Sequence, residues 1–360
     1  MHIISSSLQN ELIKQSDFNL ICQRGELLPT VPIISNAGFE CHLTLDKPRT
    51  DFLVSFSGSN CSRDNLLKDK KTLFQALQTS HVWNKIYNFH NNWTDSKSQL
   101  NNDVDHIWLE FDIDSREFKI PEPSLFFAPK KIVKDNQTKL NYNIVENALE
   151  LLLARKLPYQ TKQQLNKSLN LLPIGAKVFE VGIMLPREQE SQAIRLCVEN
   201  IPKSKISNYL TDIEWTDSSN NLSSILPEIF ELVDDIKLNF AIEQTVYPKV
   251  GFECYFNNGT SRSPKLRAFL EYLVNKKMCT SERADALLAW SGYSEENCYP
   301  ELWPEHFSKA SKFVNPNFRS TIVRLLHHIK IVYHPNQPLQ AKAYLWFGHR
   351  WLATDGKLIK

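Results

Sequence analysis

The sequence predicts an α+β fold: a ten-stranded antiparallel β-barrel built from five hairpins and surrounded by α-helices. Three observations point there. Paired runs of alternating apolar residues recur at intervals of roughly 60–85 residues, each pair joined by a short polar connection. The stretches between the pairs space apolar residues at three and four, the mark of an amphipathic helix. Each strand also presents one apolar face and one polar face.

The first hairpin pairs "GFECHLTLD" from Gly38 with "TDFLVSFSG" from Thr50. The second joins "HIWLEFDID" from His106 to "PSLFFAP" from Pro123, and the third "KVFEVGIML" from Lys177 to "AIRLCVENI" from Ala193. The fourth is "IKLNFAIEQTV" from Ile236 with "KVGFECYF" from Lys249. The fifth is "HHIKIVYHP" from His327 with "QAKAYLWFG" from Gln340. Helical spacing covers 65–89, 143–156, 161–172, 220–235, 263–277 and 280–290. Thr280 and Ser281 ahead of acidic residues form a capping signature, and Pro264 sits where a first helical turn tolerates it. The stretches 91–103 and 291–307 read as surface loops. No linker divides the chain, which is expected to form a single domain of αββα repeats over 1–360.

Amphipathic helices bury their apolar stripes, so they are expected to cover the apolar strand faces. Those faces are Phe39, Cys41, Leu43 and Leu45; Ile107, Leu109, Phe111 and Ile113; Phe179, Val181, Ile183 and Leu185; Ile194, Leu196 and Val198; Phe252, Cys254 and Phe256; and Ile329, Ile331 and Tyr333. Opposite them stand Glu40, His42 and Thr44; His106, Trp108, Glu110 and Asp112; Glu180, Gly182 and Met184; Arg195, Cys197 and Glu199; Glu253 and Tyr255; Lys330; and Lys342, Tyr344 and Trp346. Ten antiparallel strands leave open edges unless the sheet closes, and a closed sheet of this size encloses a cavity. The polar faces then line a lumen rich in Trp108, Phe126, Tyr255, Tyr344 and Trp346. An open sheet with one solvated face is the alternative.

The 360 residues are 42% hydrophobic and 23% charged, with a net charge of +2 spread along the chain. That balance carries no footprint for nucleic acid or an acidic membrane. The N-terminus lacks the apolar core of a signal peptide, and no apolar run is long enough to span a bilayer. Seven scattered cysteines without a Cys-x-x-Cys pair read as buried free thiols of a cytoplasmic protein. P-loop, dinucleotide and zincin motifs are absent. Asp234-Asp235 does not extend to an aspartate-rich terpene synthase motif. His327 and His328, as neighbours on a strand, should point to opposite faces and so cannot ligate one metal together.

This order of hairpins and helices, with polar residues turned inward, resembles the ABBA-type aromatic prenyltransferases of the dimethylallyltryptophan synthase kind, in a divergent form. Glu40 in "GFECHLTL" matches the strand glutamate that accepts the indole N–H proton in that family, and Lys342-x-Tyr344 is similar to its Lys-x-Tyr pairs around the donor diphosphate. The resemblance implies transfer of a prenyl group from a prenyl diphosphate to an aromatic acceptor, an indole or phenol, free or within a peptide or natural product. Glu40 would be the catalytic base, with Arg195, Lys330 and Lys342 binding the diphosphate. His42, Trp108, Tyr255, Tyr344 and Trp346 would shield the cation and line the substrate. The departures lie on the other strands. "TDFLVSF" has no arginine (Arg49 lies in the turn), Ser124 and Phe126 replace lysine and tyrosine, and Cys197 stands in a tyrosine slot. Glu110, Asp112, Glu180, Glu243 and Glu253 make the expected lumen at least as acidic as it is basic. That acidity suits Mg²⁺ bridging to a diphosphate, with no metal site otherwise identified. It equally suits a non-catalytic barrel that holds a peptide or small ligand in natural-product biosynthesis, and an open-sheet scaffold is a third possibility.

Overall fold

A computed structural model of the chain describes residues 2–28, 36–44, 49–57, 66–67, 69–113, 120–130, 143–187, 193–217, 221–257, 263–314 and 317–353. Leu45 lies outside these residues. The strands are β1 (Ala37–His42), β2 (Thr50–Ser57), β3 (Val104–Phe111), β4 (Ser124–Pro129), β5 (Lys177–Ile183), β6 (Ile194–Glu199), β7 (Asp235–Ile242), β8 (Val246–Tyr255), β9 (Gly292–Glu295), β10 (Phe318–Tyr333) and β11 (Gln340–Ala353).

Neighbouring strands pair antiparallel from β1 to β8, β8 continues onto β10, and β10 pairs with β11. β11 then pairs with β1, from Ala37↔Phe347 to His42↔Lys342, and closes a ring of ten strands. Closure removes the exposed edges that ten open strands would leave. The alternative of an open sheet is thereby excluded.

The structure differs from the sequence expectation in the length of one strand and in the content of one helix and two loops. β10 begins nine residues earlier than the hairpin pattern suggested, at Phe318, and the short β9 adds to its early half through Thr321↔Glu295 to Arg324↔Gly292. The expected loop 291–307 therefore contains an eleventh strand. The predicted helix over 65–89 is two helices, Lys70–Thr79 and His81–Thr94. Ser80 breaks it by adopting extended backbone, and its side chain accepts from the Trp83 N–H to cap the second helix. The other expected loop, 91–103, carries the buried Trp93 and the helix Gln99–Asp103.

The main core lies between the outer face of the barrel and the helices. Phe39, Phe111, Phe127, Phe240 and Phe252 are fully buried there, against Trp83, Phe89, Tyr209, Phe269 and Trp290. Several helices are tied to the sheet by hydrogen bonds as well as by apolar packing. Trp290 donates through Nε1 to the Leu325 carbonyl (3.2 Å), and Trp93 to that of Val104 (3.1 Å). Arg283, on the helix Ser281–Trp290, donates to the Leu43 carbonyl at 2.6 Å, which pins the end of β1. No helix among the described residues is long and apolar enough to cross a membrane.

Candidate functional site

The inner strand faces enclose a cavity of about 790 Å³, large enough for two small organic molecules side by side. Glu40, Trp108, Glu110, Glu180, Arg195, Glu253, Tyr255, Lys330, Lys342, Tyr344 and Trp346 all line it, as alternation along the strands requires. Of the residues expected as lumen acids or substrate lining, His42, Asp112 and Glu243 do not. His42 lies to one side, between Glu40 and Asp51, with Nε2 at 3.4 Å and 3.3 Å from their carboxylates. Asp112 sits below the main cavity, clasped by Arg187 through two 2.7 Å hydrogen bonds. Arg49, in the turn, is 3.5 Å from Asp51 and 3.9 Å from Asp112.

Glu40 is the most heavily engaged group. Lys342 Nζ donates to Oε1 at 2.5 Å, and the Tyr344 hydroxyl donates to Oε2. The β1–β11 register explains both contacts, because Glu40 faces Tyr344 directly and Lys342 lies two residues along the same face. Burial alone would raise the Glu40 pKa. The Lys342 ammonium and the hydrogen bond from His42 outweigh it and hold the group well below the usual carboxylate range. His42 shows the converse balance: burial disfavours its charge, but Asp51 and Glu40 raise its pKa.

A second carboxylate, Glu253, forms the β8–β10 corner. Tyr255 donates to Oε2 at 3.2 Å, the Cys197 thiol donates at 3.6 Å, and Lys330 Nζ is 3.6 Å from Oε1. Gly251 makes room for that lysine: a Cβ there would stand 2.5 Å from Lys330 Cε. Burial and the Glu253 charge push the Tyr255 and Cys197 pKa values up, so both remain protonated donors.

Glu110 carries a different charge state. Burial, then the nearby Glu40 carboxylate, pushes its pKa up to about 8. At neutral pH it is a carboxylic acid. Among the described residues the cations Arg187, Arg195, Lys249, Lys330, Lys342 and Arg350 line the cavity. The carboxylates they face are Glu40, Asp105, Glu180 and Glu253. The lumen is therefore net basic, contrary to the expectation from sequence. Period-two alternation located the acids without revealing that Glu110 is neutral, that Asp112 is bound by Arg187, or that Glu243 lies outside the cavity, where Tyr247 donates to it at 2.9 Å.

Among the described residues four β-bulges interrupt the strand pairing, and two of them change which side chains face inward. The one between Val178 and Glu180 turns Phe179 into the lumen, against its predicted place under the helices. There Lys237 Nζ lies 3.5 Å from the Phe179 ring centroid and 4.7 Å from that of Tyr255, while bonded to Glu199 at 2.8 Å. A bulge between Leu326 and His328 brings both His327 and His328 to the cavity wall, so the expectation of opposite faces fails. His328 stacks on Tyr344, with ring centroids 4.2 Å apart and planes at 19°. The other two bulges, between Val104 and Ile107 and between Phe240 and Ile242, lie in the β3–β4 and β7–β8 pairings. Phe256, just past the end of β8, also lines the cavity. Lys237 and Asn239 were legible from the alternation of "IKLNF"; the bulged residues were not.

One cluster offers three potential metal ligands within 4.8 Å of one another: Glu40, His42 and Asp51. It does not fit Mg²⁺. The Lys342 ammonium holds Glu40, His42 is drawn toward its cationic form by both carboxylates, and Mg²⁺ prefers an all-oxygen octahedron.

No protein-family model and no curated protein sequence matches the chain. Solved structures do. The apo form of prenyltransferase PriB aligns over 93% of this chain and 91% of its own, with 10% identity and a TM-score of 0.52. The complex of PriB with product diphosphate covers the same shares at 10% identity and a TM-score of 0.50. The 5-dimethylallyltryptophan synthase from Streptomyces coelicolor aligns over 92% of both chains, with 12% identity and a TM-score of 0.52. At such identities the likeness concerns the path of the backbone, and there it spans nearly the whole chain. The chain has the ten-stranded barrel fold of the ABBA-type prenyltransferases.

Proposed function

We propose that the protein transfers a prenyl group from a prenyl diphosphate to an electron-rich aromatic acceptor, an indole or phenol, inside the barrel. The observation that carries this reading is the Glu40 centre: an ionised carboxylate in the lumen wall, fixed by Lys342 and Tyr344 beside an aromatic cavity. PriB has been solved with product diphosphate, and the Streptomyces coelicolor neighbour is named for a prenylated tryptophan.

In this mechanism the net basic lumen receives the donor. Lys330, Lys342 and Arg195 neutralise the diphosphate as the C–O bond breaks, which lowers the energy of the leaving group. The faces of Trp108, Tyr255, Tyr344 and Trp346 shield the allylic cation; the Lys237 ammonium over Phe179 and Tyr255 supports this reading for the Tyr255 side of the wall. Glu40 accepts the acceptor's N–H or O–H proton as the ring attacks. No step requires a metal ion.

A second reading, a non-catalytic ligand-binding barrel, draws on one observation. Lys342 and Lys330 already face Glu40 and Glu253, at 2.5 Å and 3.6 Å, so a diphosphate competes with ion pairs for them. Incubation with dimethylallyl or geranyl diphosphate and tryptophan or tyrosine acceptors, followed by mass spectrometry, separates the two. Prenylated product that is lost in Glu40→Gln supports catalysis. Absence of donor binding by calorimetry, with and without Mg²⁺, overturns it.

A further inference from the structure

The bulge on β10 sets His327 and His328 side by side, Nδ1 to Nδ1 at 2.8 Å. Between two neutral imidazoles such a contact holds one proton, so one ring donates and the other accepts. The surroundings decide which. His328 is 6% exposed, and its Nε2 is buried without a hydrogen-bond partner among the described residues, 4.0 Å from Glu253 Oε2. A lone pair aimed at a carboxylate is repelled, whereas an N–H is attracted. His328 therefore keeps its proton on Nε2 and accepts at Nδ1, and His327 donates from Nδ1. Removal from bulk water inside the barrel lowers both imidazole pKa values and keeps the rings neutral; His327, Lys330 and Lys237 lower that of His328 further, while at His327 Glu253 opposes the shift and Lys237 adds to it. His327 is exposed to the cavity with a lone pair on Nε2, which has no hydrogen-bond partner among the described residues.

We propose that His327 Nε2 is a second proton acceptor in the lumen, serving the prenylated ring carbon while Glu40 serves the acceptor's heteroatom. The proposal rests on the prenyl-transfer reading. Attack of the ring carbon forms the new C–C bond and breaks the C–O bond to the diphosphate, which leaves with the electron pair. Glu40 holds the heteroatom proton during attack. The C–H bond at the prenylated carbon then breaks, its electrons restore the aromatic ring, its proton moves to His327 Nε2, and Glu40 returns the heteroatom proton. The imidazolium formed is supported through Nδ1–H by His328, which has the Glu253 carboxylate behind it. His328 and Glu253 are positioning residues. Tyr344 joins the two centres, its hydroxyl on Glu40 and its ring on His328, so both acceptors belong to one wall formed by β10, β11 and β1.

The tautomers are tested directly by long-range ¹H–¹⁵N NMR of the full chain labelled at histidine nitrogen, with His327→Gln and His328→Gln providing the assignments. Protonated Nδ1 and bare Nε2 on His327, with protonated Nε2 on His328, are expected; the reverse pattern overturns the proposal whether or not the protein turns over. The role is tested with an acceptor deuterated at the attacked carbon. His327→Gln should slow turnover about 100-fold and reveal a primary deuterium isotope effect absent from the wild type, with imidazole restoring rate to His327→Ala. Glu253→Gln should move the limb of the pH–rate profile set by His327 to lower pH, since Glu253 on β8 supports that charge while Lys237 on β7 opposes it. Transfer by the wild type with an unchanged rate in His327→Gln overturns only this role. The expected tautomers with no transfer by the wild type overturn the prenyl-transfer reading, and this role with it.

Discussion

The tetrapeptide Gly-Phe-Glu-Cys occurs at Gly38 and again at Gly251, and each copy forms one corner of the same lumen. In both, Phe and Cys go outward under the helices and Glu goes inward. The corners nevertheless differ in how their carboxylates are held. Glu40 is clasped by Lys342, Tyr344 and His42 and kept well below its ordinary pKa. Glu253 has the longer contacts, to Lys330 at 3.6 Å and His328 at 4.0 Å. The glycines differ as well. A Cβ at Gly38 would meet the Leu345 carbonyl oxygen at 2.7 Å, whereas one at Gly251 would meet the side chain of Lys330. Identical local sequence thus gives the same strand and the same face, and the partner strand decides the chemistry.

The sharpest break of this comparison is Glu40→Gln. It keeps the shape of the corner and removes the proposed base, so turnover measured by product mass spectrometry should fall by about 10² to 10⁴ while donor binding persists. Next in size is Lys342→Met, which leaves Glu40 buried without its cation and should cost about 3 kcal/mol in urea unfolding at pH 7. The pH dependence gives the sign. Because the folded pKa of Glu40 is depressed, its contribution to stability is present above the ordinary carboxylate value of 4.5 and is lost as pH falls through the folded value. In Lys342→Met that loss should begin at higher pH.

Glu110 behaves in the opposite way. Its folded pKa is raised from 4.5 to about 8, so its contribution is fully present below pH 4.5 and is lost as pH rises toward 8. Glu110→Gln should therefore stabilise the protein at pH 7, by on the order of 2 kcal/mol, and the gain should vanish below pH 4.5. The smallest effects separate the two glycines. Gly38→Ala, pressed against rigid backbone, should cost about 2 kcal/mol by thermal or urea unfolding. Gly251→Ala should cost less than about 1 kcal/mol because Lys330 swings away, and should show itself instead as weaker diphosphate binding.

Much of this molecule was legible in its sequence. Alternation alone assigned Glu40, Trp108, Glu110, Glu180, Arg195, Glu253, Tyr255, Lys342, Tyr344 and Trp346 to the inner face, because side-chain direction in a regular strand follows from residue parity. Parity fails where a bulge inserts a residue, and so Phe179 and the His327–His328 pair were misplaced. It says nothing of what lies behind the polar face, and so His42 and Asp112 were assigned to the lumen although each is held at its edge by other groups. The eleventh strand was missed because four residues, Gly292–Glu295, carry too short an alternation to stand out from a loop.

By itself the sequence determined the hairpins, the helices and the two faces of each strand, since these depend on the period of apolar residues along the chain. Only the tertiary structure decided that the sheet closes, because closure is the pairing of β11 with β1 across some three hundred residues, a contact that no local pattern encodes. Closure also set the charge states. It placed Lys342 on Glu40 and buried Glu110 beside that carboxylate, and a proton's free energy depends on the field of the groups around it.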